Sequence, residues 1–435
     1  MEPVTLGAIS IILLVVLMAV GIPIGVTMML LGFLGVLILI NPSAALMKMA
    51  VIPFSFVSSY DFAVIPMFML MANLILVSGL GTDLYRIASK WFGRRNGGLA
   101  IATTVACAGF AAISGSGLAT SLTIGQTAMP EMKKYKYDTA FSAAVICASG
   151  TIGLMIPPST ALMVYGIVTG TSIRSLFIGG FLPGLTEALF YIVLILILTK
   201  RKPAIGPRSE KSSFREKMTS LKQGIDIIVL ILFVFLGMLF GLFTPTEAGA
   251  MGAAGAFIIT VVRRRLDWKK FWKAIKDTIK VSGMYFFILI GAQMFMYLTS
   301  ITTLPRLAAE WVGGLDVAPM VIMLIMMGIY MILGCFMSGN AIMMLTIPIF
   351  FPIVLNLGFN PIWFGILLTR VSEIGQLTPP VGLGVYSIQA ILPEKVPIHR
   401  IFKYTAYFVG ADVLHLVLLL FVPAVTLYLP TLFAG

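Results

Sequence analysis

The sequence predicts an all-α polytopic membrane protein made of two inverted-topology repeats, each holding a re-entrant helical hairpin and a broken transmembrane helix. Three observations carry this. Hydrophobic residues make up 59% of the 435 and charged residues 11%, and apolar runs recur along the whole chain near the roughly 20 residues a helical span needs. Of the 30 Lys and Arg, 26 fall into five short segments: Arg86–Arg95, Lys133–Lys136, Lys200–Lys222, Arg263–Lys280 and Lys395–Lys403. Finally, Gly, Pro and Ser landmarks repeat at one fixed spacing of 222 residues.

The first apolar run, Leu6–Val20, lacks a basic leader and a small-residue cleavage site, so it is expected to be a retained span. Further crossings are expected near 22–41 and 62–79. The positive-inside rule puts the five basic clusters in the cytoplasm. The stretch Leu99–Met129 has basic residues on both flanks, so it enters and leaves on one side. Its 31 residues are too few for two full spans, which need about 35 to 40, and "AAISGSGLATS" at its middle suits a reversal. A hairpin at about 99–130 follows. The segment 138–170 is long enough to cross but carries Pro157 and Pro158 in "GLMIPPS". A helix broken in a bilayer frees backbone groups that must be buried in protein or line something polar.

Crossings near 176–199, 224–243, 245–262 and 278–300 come next, with a cytoplasmic linker from Lys200 to Gln223. The basic stretch "RRRLDWKKFWKAIKD" reads as an interfacial helix on anionic lipid. A second hairpin at about 317–353, with its tip at "CFMSGNAIM", has basic-poor flanks and is expected to enter from outside. A second break at about 375–382, "GQLTPPVG", interrupts the crossing 361–392, and a last crossing covers 404–430. Both termini then lie on the outer face.

The repeat is read from seven coincidences at the 222-residue offset. Pro23, Ser116, Gly117, Pro130, Gly153, Pro157 and Pro158 match Pro245, Ser338, Gly339, Pro352, Gly375, Pro379 and Pro380. Five crossings separate equivalent positions, and an odd number inverts the second half in the membrane. The division is 1–222 and 223–435. Inverted repeats with matched broken helices point to a secondary transporter with its site near the midplane.

Breaks expose carbonyls at one half-helix end and N–H groups at the other. Carbonyl and hydroxyl oxygens suit Na⁺, and half-helix N-termini suit a carboxylate. The candidate cation ligands are Ser114, Ser116, Gly117, Gly153 and Pro157 in the first half. In the second they are Ser338, Gly339, Asn340, Gly375, Thr378 and Pro379. The Gly and Pro residues would act through their carbonyls. The competing reading is small residues placed for close helix packing. Ser159, Arg370 and Thr378 are the candidates for a carboxylate substrate. Arg370 and Glu373 are spaced i,i+3, so a mutual ion pair competes with a substrate clamp at Arg370. Glu187, Glu247, Asp412 and His415 are expected to pair structurally.

A net charge of +13 would suggest nucleic acid in a soluble chain; here it reads as topology, with the lipid bilayer as the partner and no nucleic acid. Cys107, Cys147 and Cys335 lie in apolar segments and are expected to be free. His399 and His415 are far apart, so no protein-built transition-metal site is expected. No GxSxG, HExxH or paired-aspartate arrangement suggests an enzyme, and no phosphate loop suggests an ATP-driven pump or a cofactor. A passive channel is the remaining class; unsaturable flux would distinguish it.

The passages "SGSGLATSLTIGQTAMPEMKKYKYDTAFSAAV", "GLMIPPSTALMVYGIVTGTSIRSLFIGGFLPG", "IPIFFPIVLNLGFNPIWFG" and "EIGQLTPPVG" resemble the large membrane subunit of tripartite ATP-independent periplasmic (TRAP) transporters, over essentially the whole chain. The resemblance implies Na⁺-coupled import of an organic acid, commonly a C4-dicarboxylate or a sialic acid, by an elevator-like movement in a bacterial or archaeal inner membrane. It also implies a small four-helix membrane subunit and a periplasmic substrate-binding protein. Family members often carry an acidic residue near the second tip, as FMD, where this chain reads "FMSGN" with Ser338. A stand-alone Na⁺/anion symporter, or an anion pump of the same architecture, is the alternative; transport by the purified chain alone would mark it.

Overall fold

The computed structural model describes residues 2–392 and 396–433. Lys395, which opens the last basic cluster, and the two chain ends lie outside the described residues. All regular structure among the described residues is helical. In chain order it begins with α1 (Pro3–Ala19), α2 (Ile24–Leu39), α3 (Pro42–Ser58), α4 (Val64–Val77) and α5 (Gly81–Phe92). The first hairpin is α6 (Gly98–Ser114) and α7 (Gly117–Lys134), followed by α8 (Thr139–Thr151), α9 (Thr160–Thr169) and α10 (Ile173–Arg201). Next come α11 (Phe214–Leu239), α12 (Pro245–Val262), α13 (Trp268–Ile301) and α14 (Leu304–Gly313). The second hairpin, α15 (Pro319–Gly334) and α16 (Gly339–Asn356), precedes α17 (Pro361–Leu377), α18 (Leu383–Gln389), α19 (Ile398–Phe421) and α20 (Ala424–Phe433). Seven helical segments among the described residues are long and apolar enough to cross a membrane.

Shifted by 222 residues, α7 falls on α16 end to end, and α5 falls on α14 to within one residue at each end. The two halves interlock. Helix α2 packs along α13 while α12 packs along α4, α8 meets α19 while α17 meets α10, and α9 meets α16 while α18 meets α7. Each of these contacts between halves is therefore made twice, with the partners exchanged.

The hairpin ends are stitched to one edge. Leu99 donates its N–H to the Tyr137 hydroxyl at 3.1 Å, Gly97 donates to the Gly206 carbonyl at 2.8 Å, and Asp138 donates to the Ile205 carbonyl at 3.1 Å. The start of α6, the end of α7 and the chain after α10 thus meet at one place.

Several elements differ from the sequence expectation. The stretch "RRRLDWKKFWKAIKD" is not a separate interfacial helix: from Trp268 onward it is the opening of α13, which runs unbroken for 34 residues. No proline interrupts it, and at 1.5 Å per residue it reaches about 50 Å, well beyond a hydrocarbon core of roughly 30 Å. The last crossing is divided, since Pro423 lies between α19 and α20. Helices α3, α5 and α14 had no counterpart in the sequence reading. Helix α5 is amphipathic: it buries Leu84, Tyr85 and Ala88 and exposes Arg86 and Trp91. Buried Asp83 ties it to the end of α12, 3.1 Å from Arg263 and 2.9 Å from Arg265.

Candidate functional site: two tips facing two breaks

Helix α8 stops at Thr151, passes through a short 3-10 turn at Ile152–Leu154, and the chain resumes as α9 only at Thr160. Pro157 and Pro158 cannot donate a helical N–H, and the peptide bond between them is cis. The Ser159 side chain caps α9, accepting from Leu162 N at 3.2 Å, and its hydroxyl donates to the Leu154 carbonyl.

The first hairpin tip lies against this break. Gly115 has a left-handed backbone, φ +59°, which glycine tolerates at no steric cost. Its carbonyl accepts from both the Thr160 N–H at 3.0 Å and the Thr160 hydroxyl at 2.8 Å. The Ser114 and Thr120 hydroxyls are 2.6 Å apart. A Cβ on Gly153 would lie 2.7 Å from the Thr120 hydroxyl and 2.9 Å from the Ser116 carbonyl, and one on Gly117 would be 3.3 Å from the Gly150 carbonyl. Ser114, Ser116, Gly117 and Gly153 are therefore brought together, with Thr120 and Gly150 beside them. The hydroxyl of Thr120, one turn inside α7, is an oxygen the sequence reading missed. Ser114, Gly153 and Pro157 are all buried.

The second pair is built alike but is more open. Helix α17 ends at Leu377 and α18 starts at Leu383, after a second cis bond at Pro379–Pro380. A Cβ on Gly375 would fall 2.3 Å from the Gly334 Cα, so only glycine lets the end of α15 approach α17 this closely. Gly339, at the start of α16, packs on Ser372 of α17. Thr378 donates its hydroxyl to the Ile374 carbonyl at 2.7 Å, leaving its oxygen lone pairs available. Ser338 and Pro379 are exposed and Thr378 is half-buried.

Tyr285 of α13 reaches the second tip. Its hydroxyl accepts from the Asn340 amide at 3.0 Å.

Arg370 is wholly buried and engaged elsewhere. Its guanidinium lies 2.7 Å from Glu187, 2.8 Å from Glu373 and 2.5 Å from Asp412, all 0% exposed. The expected pair with Glu373 is present, and the cluster gathers two further carboxylates from α10 and α19. A clamp role for Arg370 would require it to leave all three. Thr151 donates to Glu187 at 3.3 Å, and His415 hydrogen-bonds Thr186 at 2.8 Å. Glu247 instead caps α12, accepting from Thr244 N at 2.8 Å. At the 222-residue offset Arg370 and Glu373 correspond to Ala148 and Thr151, so the charged cluster belongs to the second break alone.

The geometry offers neutral hydroxyl and carbonyl oxygens at two breaks, braced by one buried ion cluster. The family described as "Tripartite ATP-independent periplasmic transporter, DctM component" matches residues 11–425. The C4-dicarboxylate TRAP transporter large permease protein DctM of Pseudomonas aeruginosa is 34% identical over 402 residues, covering 92% of this chain and 93% of that protein. The isethionate TRAP transporter permease protein DctMQ of Oleidesulfovibrio alaskensis is 32% identical, covering 89% of this chain and 60% of that longer protein. The crystal structure of the YdaH transporter of Alcanivorax borkumensis superposes with a TM-score of 0.65 at 15% identity, over 97% of this chain and 98% of that one, a likeness of fold. This chain, a multi-pass inner-membrane protein, belongs to the DctM family, the large permease component of tripartite ATP-independent periplasmic transporters.

Proposed function

We propose that this permease imports a small organic acid coupled to Na⁺, each tip-and-break pair supplying oxygens for a cation. The carrying observation is the convergence of uncharged oxygens where backbone and hydroxyls meet at Ser114, Ser116, Thr120 and Gly150. Neutral oxygen donors replace the hydration shell of a hard monovalent cation without a fixed negative charge that would favour divalent ions. In the first pair Ser114, Ser116, Gly117, Gly153 and Pro157 would hold Na⁺. In the second, Ser338, Gly339, Asn340, Gly375, Thr378 and Pro379 would do so.

The substrate carboxylate sits between the pairs, at the N-terminal end of α9. Ser159 caps that end and, with Thr378 of the second break, would contact the carboxylate, while Arg370 acts as a positioning residue that holds α17 to α10 and α19. The relatives are named for C4-dicarboxylate and isethionate transport, both small organic anions. The hairpins and broken helices move together as an elevator between the two membrane faces. A periplasmic binding protein delivers the substrate, and a small four-helix subunit completes the permease; the relative named DctMQ carries more than this chain's length. Both termini face the periplasm.

The test is uptake by the permease reconstituted with its small subunit and loaded binding protein. Uptake is expected under an inward Na⁺ gradient without ATP. Equal uptake in Na⁺-free buffer under a proton gradient would overturn the cation assignment.

A further inference from the structure

Where the hairpin ends meet the chain after α10, a cavity of about 750 Å³ opens, lined by Arg94, Arg95, Lys200, Arg208 and Lys217. Among the described residues no carboxylate lines it. Glu216 of α11 accepts from the Ser213 N–H at 2.7 Å and lies 4.0 Å from Lys90. Lys217 stands 5.6 Å over the ring of Trp91, which carries the wall of the cavity toward the apolar region.

Trp91 and Phe92 form the wall of a second space as well. On their other side a groove of about 400 Å³ runs between α5, α6 and α11, with Leu84, Val105, Leu221 and Ile231 among its walls and no charged residue. Its floor is left open at Gly109, where an added Cβ would meet only Leu84, at 3.7 Å. A strongly cationic mouth set on an apolar trench at a membrane edge has the two-part chemistry of a phospholipid.

We propose that this composite site binds an anionic phospholipid, its headgroup phosphate among Arg94, Arg95 and Arg208 and an acyl chain in the groove over Gly109. The lipid then lies between hairpin helix α6 and helix α11, both of which line the groove. Charge selects the headgroup and the groove selects the tail, so each half of the site is tested by its own variant.

The experiment is native mass spectrometry of the purified chain in mixed micelles of dioleoylphosphatidylglycerol and dioleoylphosphatidylcholine, with thermal unfolding as a folding control. Wild type should retain phosphatidylglycerol in preference to phosphatidylcholine. The triple variant Arg94→Gln, Arg95→Gln, Arg208→Gln, all three residues exposed, should weaken that retention about a hundredfold. Gly109→Leu should weaken phosphatidylglycerol retention while leaving binding of inorganic phosphate unchanged. Equal retention of the two lipids by wild type would overturn the proposal. Undiminished phosphatidylglycerol retention by Gly109→Leu would overturn it too, making the cavity a site for a free anion.

Discussion

Thr378 and Arg370 sit within three turns of one another and call for opposite treatment. Thr378 spends its proton on the Ile374 carbonyl and keeps its oxygen for the space beside Pro379. Thr378→Val preserves shape and removes that oxygen, so the Na⁺ concentration for half-maximal uptake should rise several-fold, roughly the loss of one modest oxygen contact. An unchanged Na⁺ dependence would reduce "TPP" to a structural kink. Arg370 instead pairs with Glu187, Glu373 and Asp412 with no access to solvent. Removing the one cation leaves buried carboxylates facing each other, a change that typically costs about 3 to 5 kcal/mol. Arg370→Gln should therefore unfold at a clearly lower temperature in detergent, whereas Asp412→Asn, which keeps a hydrogen-bonding partner, should fall less. Wild-type thermal stability for Arg370→Gln would contradict the bracing role.

At the scale of elements, the hairpins and breaks organise everything around them. Gly375 and Gly334 touch backbone to backbone, and a Cβ at 2.3 Å from the Gly334 Cα has no room. Gly375→Ala should push α15 from α17 and cut transport sharply, while Gly410→Ala, with nothing within 4 Å of its added Cβ, should be nearly silent. The stitched ends of the first hairpin give a topology test. Cysteines introduced as Asn96→Cys and Lys134→Cys should both label from the cytoplasmic face; labelling from opposite faces would undo the re-entrant assignment.

These elements were legible in the sequence because proline and glycine fix backbone geometry locally, and "GLMIPPS" and "GQLTPPVG" state it twice. Helices α5 and α14 were not, since an amphipathic helix with several charges gives no long apolar run. The continuity of α13 was hidden because its first turns are basic and its later ones apolar, which reads as two helices. The partners of Arg370 were hidden for another reason. Glu187 and Asp412 lie on other helices, and only tertiary packing brings them to the guanidinium. Thr120 escaped notice because its hydroxyl sits one helical turn beyond the tip.

At the scale of the whole molecule, exchanged contacts join the halves. Helix α2 rests on α13 as α12 rests on α4, and the hairpins rest on each other's resumed helices α18 and α9. The two pairs nevertheless differ in exposure, the first covered and the second partly open. Tyr285 of α13 accepts from Asn340, tying that helix to the second tip. A bare chain should transport nothing from free solution until the small subunit and the loaded binding protein are added; robust uptake of free substrate by this chain alone would instead favour a stand-alone symporter. The most direct test of the central claim is simultaneous measurement of radiolabelled Na⁺ and substrate influx into proteoliposomes holding the complete transporter. Na⁺ influx should rise only when loaded binding protein is present, in fixed proportion to substrate, and a Ser114→Ala, Thr378→Val double variant should depress both fluxes together. Substrate influx with no accompanying Na⁺ would contradict the account.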